Sequence, residues 1–174
     1  MGNENISFGP RKKIAKTLAI NLIKEVGISE APVSLGKIIE FLQQKRALFV
    51  QRANLSNKIS GLLIVCEKMD EEYAKNYITI VFNETHPWCR RRFTIAHEIG
   101  HLLLNHTCVQ GQCDTANNET EANIFAGELL IPTKLLKKDF EKTQNIPALS
   151  RLYRVSSQAL TIKLMSSRLL HSND

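Results

Sequence analysis

Apolar residues recur at helical spacing from Lys12 to Val26, where Ile14, Ala15, Leu18, Ala19, Leu22, Ile23 and Val26 line up and Gly27 supplies a stop. Pro32-Val33-Ser34-Leu35 opens a second amphipathic stretch, with Ser34 as candidate N-cap and Leu35, Ile38, Ile39 and Leu42 on one face. The pattern then changes. Segments 47–52, 59–66 and 77–82 are rich in β-branched and aromatic residues and predict three strands, punctuated by Gly61 and Asn83. The charged stretch 67–75 between the last two predicts an exposed hairpin connection. Helical spacing returns from about Arg91 to Asn105, followed by a polar loop over 107–118 and a helix over 119–131 that Pro132 stops. A short helix over 134–142 and two further helical patterns, 149–154 and 157–170, complete the chain. No repeat or linker interrupts this order, so residues 1–174 are expected to form a single α+β domain.

Composition adds little to that outline. The 174 residues suffice for one domain with a substantial core, and 43% hydrophobic with 23% charged residues is ordinary for a globular chain. No apolar run approaches the ~20 residues of a membrane helix, and the first residues carry neither a secretory leader nor a myristoylation pattern. Cys66, Cys89, Cys108 and Cys113 show no CxxC pairing and no disulfide framework, which points to a reducing, cytoplasmic setting. The net charge of +6 reads as a solubilising charge.

The chemistry is concentrated in His97-Glu98-Ile99-Gly100-His101, an HExxH motif. Histidines one helical turn apart can reach one metal, and the intervening glutamate is placed to take a proton from an attacking water. On a wheel of about 100° per residue, Phe93, Ile95, Ala96, Ile99, Gly100, Leu102, Leu103 and Leu104 cover most of the circumference. His97, Glu98 and His101 share the remaining stripe with Thr94 and Asn105. A helix apolar nearly all round is buried, and buried polar groups need partners, which a metal supplies. Gly100 leaves room for another backbone to come close.

A catalytic zinc takes three protein ligands and keeps one position open. On the helix over 119–131, Ala122, Phe125, Ala126, Leu129 and Leu130 define the buried face, with Glu119 at its edge. Glu119 is therefore the preferred third ligand and Glu121 the alternative. Glu121 and Glu128 read as a solvated face, and Asn123, one turn from Glu119, is a candidate to orient a ligand histidine. Tyr153, His106 and Arg92 are candidate oxyanion donors. His106 reads more simply as a cation at the end of its helix, and His106, Cys108 and Cys113 as free loop residues rather than a second metal cluster.

The run from Arg92 to His101 and the run from Glu119 to Pro132, which includes Glu121, Glu128 and Leu129-Leu130, together resemble the ImmA/IrrE-type zinc metallopeptidases, a branch of the gluzincins. Pro32-Val33-Ser34-Leu35 and the strand ending in Asn83 fit as well; Ile131 stands where methionine is usual, a volume-conserving exchange. The resemblance implies a zincin-like domain: a small β-sheet packed with the HExxH helix, a following third-ligand helix and a helical C-terminal segment. It implies His97, His101 and Glu119 as Zn2+ ligands and Glu98 as catalytic acid/base. It also implies cleavage of a helix-turn-helix transcriptional repressor, which relieves repression for a mobile element, a prophage or a stress response. No separate N-terminal DNA-binding domain is expected, unlike in some relatives.

The alternative is a DNA-binding or repressor-sequestering regulator with little or no peptidase activity. The segment 148–170 resembles a helix-turn-helix, with Val155 in the turn, Ser156 as cap and positive charge from Arg151, Arg154, Lys163 and Arg168. Nucleic acid is the less favoured ligand, since such segments can instead pack on a catalytic core. Glu98 argues against a structural metal site or an inert, sequestering peptidase, because a structural site has no use for a base beside its ligands; operator binding in gel shifts separates the DNA-binding reading.

Overall fold

The computed structural model describes residues 10–70, 73–106 and 115–170. Its elements run α1 (Lys12–Glu25), α2 (Leu35–Gln43), β1 (Leu48–Ala53), β2 (Gly61–Asp70), β3 (Tyr73–Asn83), α3 (Trp88–Leu103), α4 (Thr115–Leu130), α5 (Thr133–Lys142), α6 (Ile146–Tyr153) and α7 (Ser157–Ser166). Ser34 caps α2 as expected, its hydroxyl accepting from the Lys37 N–H at 3.4 Å.

The sheet has the order β1-β3-β2, with β1 parallel and β2 antiparallel to β3. The segment 67–75 is not the connection that its charge pattern predicts. The β2–β3 ladder runs on through Glu67↔Asn76 to Asp70↔Tyr73, because backbone pairing propagates whatever the charge of the side chains. The turn itself lies outside the described residues. One sheet face buries Ile78 and Ile80 against α3, while Phe49, Leu62 and Ile64 stand on the other face, exposed.

Two close approaches fix the layers around α3. At Gly61 a Cβ would collide with the Thr94 methyl and lie 2.8 Å from the Val81 carbonyl, so only glycine lets β2 start against α3 beside Glu98. At Gly100 a Cβ would lie 3.0 Å from the Phe125 ring and 3.3 Å from the Ala122 backbone, so α3 and α4 cross nearly backbone to backbone. Ile99, Phe125, Ala126 and Leu129 are fully buried in the core around this crossing. Such burial contributes on the order of 1.5–3 kcal/mol for each large side chain. Asn83, also fully buried, donates from its amide to the carbonyls of Leu55, Ser56 and Ile59 and ties down the loop that leads into β2.

The C-terminal pair α6–α7 has a helix-turn-helix outline, with Arg154 at positive φ and Ser156 capping α7, but it is docked on the core. Leu149, Tyr153, Leu160 and Leu164 are buried, and the Tyr153 hydroxyl donates to Asp139 at 2.9 Å. Lys163 is not part of a basic surface. It is largely buried in an ion pair with Glu128. Among the described residues, no helix is long and apolar enough to cross a membrane.

Candidate metal centre

His97 and His101 project from α3, one turn apart, into a cleft of about 1070 Å³ bounded on one side by β2 and on the other by α4. Their Nε2 atoms lie 2.9 Å apart. Glu119, in the second turn of α4, reaches both: one carboxylate oxygen is 3.2 Å from His97 Nε2 and the other 3.2 Å from His101 Nε2. The three ligand atoms lie within 4.8 Å of one another. Tetrahedral zinc with bonds of about 2.0–2.1 Å holds its ligand atoms about 3.3 Å apart, so this donor set and spacing fit such an ion. Glu119 is the exposed member, its side chain 57% accessible against 14% for each histidine.

Burial sets the charge states. It lowers the His97 imidazole from its ordinary value, against the pull of Glu119 and Asn123, and brings His101 down to about 4, with His97 adding to the effect. Both rings are therefore neutral near pH 7, the form a metal requires. Glu98, 8% accessible and pressed against the glycine at the start of β2, is pushed up to about 7 by burial, with the Glu119 charge contributing. Asn123 Oδ1 lies 3.1 Å from His97 Nδ1, within reach of a hydrogen on that nitrogen.

The solvated face expected for Glu121 and Glu128 is absent, since both are 2% accessible. Helix α4 is packed on more than one side, so a wheel built around a single buried face misplaces them. Glu121 accepts from the Arg11 backbone at 2.6 Å and from its guanidinium at 2.8 Å. Burial would raise this carboxyl, but Arg11 and His106 hold it down at about 2. Glu128 accepts from the Thr133 N–H and hydroxyl at 2.9 and 2.7 Å and from Lys163. His106 does lie at the end of α3, but folded back into the interior. Its side chain is 2% accessible and sits between His101 and Glu121.

Of the candidate oxyanion donors, Tyr153 is committed to Asp139 and Arg92 to the Val33 carbonyl and the Trp88 ring. His106 lines the cleft, but both its nitrogens are taken. Among the described residues, the cations lining the cleft are Arg46, Lys58 and Arg90, of which Arg90 donates to the Ser60 hydroxyl at 2.8 Å. Cys108 and Cys113 lie outside the described residues.

A small sheet, a buried HExxH helix and a second helix that brings a carboxylate to the histidine pair define a zincin-like α+β domain. Residues 59–165 match the peptidase M78 family, the IrrE N-terminal-like domain, and the chain belongs to that family. Among solved structures the fold is similar to a Mycobacterium tuberculosis transcriptional regulator, with a TM-score of 0.61 at 16% identity over 84% of this chain. The chain spans 44% of the length of that regulator. No curated protein matches in sequence.

Proposed function

We propose that this protein is a zinc-dependent endopeptidase that acts in the cytoplasm and cleaves a helix-turn-helix transcriptional repressor, relieving repression. The observation that carries the reading is the convergence of His97, His101 and Glu119 on one point, with the buried Glu98 on the same helix in an open cleft. His97, His101 and Glu119 would hold the zinc ion, which when bound would supply Lewis acidity to the scissile carbonyl and acidify the attacking water. Glu98 accepts the proton of that water and delivers it to the departing amine. Asn123 holds the His97 ring in place through Nδ1.

Strand β2 supports an extended peptide as substrate. It sits at the sheet edge, paired on one side by β3, and residues 59–63 at its start line the cleft. A peptide added along that edge would make main-chain hydrogen bonds there and pass the two histidines. The family membership and the transcriptional regulator among similar folds favour a regulatory protein as the target.

The test is to mix the purified chain with the product of the neighbouring regulator gene, with and without chelator, and to identify fragments by mass spectrometry. Discrete fragments that vanish with chelator are expected. An intact repressor held in a stable complex, unchanged by zinc or chelator, would favour sequestration. Tight operator binding indifferent to chelator would favour the DNA-binding alternative.

A further inference from the structure

Helix α3 ends in a way that builds a second layer behind the histidine pair. Asn105 adopts φ 53°, the left-handed conformation that asparagine tolerates better than most residues. The chain therefore folds back, the His106 N–H bonds the His101 carbonyl at 3.0 Å, and the Asn105 N–H points to the Leu102 carbonyl at 3.4 Å. This Schellman arrangement lays the His106 ring beside that of His101, their centroids 4.9 Å apart. Two Nδ1 atoms then face each other at 2.9 Å, and His106 Nε2 meets a Glu121 oxygen at 2.9 Å. Arg11 grips the same carboxylate with its guanidinium.

The proton positions follow from which groups can donate. Glu121 is a carboxylate and only accepts, so His106 must carry its hydrogen on Nε2. With a neutral His106 ring, its Nδ1 is a bare acceptor, and the hydrogen between the facing nitrogens belongs to His101 Nδ1. That leaves His101 Nε2 with an exposed lone pair, directed at His97 Nε2 and Glu119. Asn123 does the same for His97 by accepting from its Nδ1. In these tautomers two bare ring nitrogens and a carboxylate converge with no proton among them, an arrangement that a cation would satisfy.

We propose that Glu121 and His106 are positioning residues that lock His101 in its metal-binding tautomer, with Arg11 fixing the carboxylate. The inference rests on the reading of His97, His101 and Glu119 as a metal site. Removing such an outer partner typically costs 10–100-fold in metal affinity. The test uses the full chain, with zinc affinity measured by competition with a chromogenic chelator. His106→Ala is expected to weaken zinc binding by about 10–100-fold. His106→Gln, whose amide can both accept from His101 and donate to Glu121, is expected to recover most of that loss.

Metal-free melting temperatures of both variants, measured in parallel, report folding separately. Long-range proton–nitrogen NMR correlation on the wild type is expected to show His106 as the Nε2–H tautomer. Three results would overturn the inference while leaving the metal site standing. They are wild-type zinc affinity in His106→Ala, a His106→Gln variant as weak as His106→Ala, or an Nδ1–H tautomer at His106. A wild-type chain that takes up no zinc would remove the metal site itself.

Discussion

Glu98→Gln is expected to bind zinc as tightly as the wild type and to cleave its repressor about 10²–10⁴-fold more slowly, the range for loss of a positioned general acid/base. The amide has the size of the carboxyl and fills the same buried space beside Gly61 and Thr94, so the cleft keeps its shape. It also carries no charge to bury, whereas burial already works against the ionised form of Glu98. The melting temperature should stay level or rise. Single-turnover cleavage and zinc titration on the same preparation check both halves of the expectation. A variant that cleaves at the wild-type rate would mean that another group moves the proton.

Glu119→Ala is expected to abolish stable zinc binding and with it cleavage. Its loss should exceed the roughly 100-fold upper end typical of outer partners, because a ligand oxygen goes rather than its support. The fold should hardly notice. The side chain is 57% accessible, and its contacts are with the two histidine rings. Surface replacements of that kind stay within about ±0.5 kcal/mol. Glu121→Ala would behave differently, since it strips the partners of Arg11 and His106 from a site that is 3% accessible and lowers stability as well. Equilibrium dialysis and thermal melts of the two variants separate the roles.

Those two glutamates also mark how far the sequence could be read. The HExxH spacing fixes which atoms of α3 share a side, because one helical turn is a local constraint, and Glu119 is singled out by its place at the edge of an apolar face. The burial of Glu121 depends on Arg11, 110 positions away, and no periodicity carries that information. Wheels assume one buried face, while α4 is enclosed by both α1 and α3. Lys163 misleads for the same reason: a lysine in a helix-turn-helix-like segment reads as surface charge until its buried partner Glu128 is known. His106 left a fainter trace. Asparagine just past a helix is a signal for a left-handed residue, and the ring that follows is thrown back on the last turn. The charged hairpin shows the converse, a polar stretch that reads as a loop although the strand pairing extends through it.

The proposed activity requires one divalent ion shared by the two adjacent helices α3 and α4. Anomalous diffraction from zinc-loaded crystals, collected on both sides of the zinc absorption edge, tests this most directly. A single strong peak is expected about 2.0–2.2 Å from Nε2 of His97, Nε2 of His101 and a Glu119 oxygen, with Glu98 beside it and not bound. A peak held by other side chains, or none while Glu119 turns away from the histidines, would contradict it.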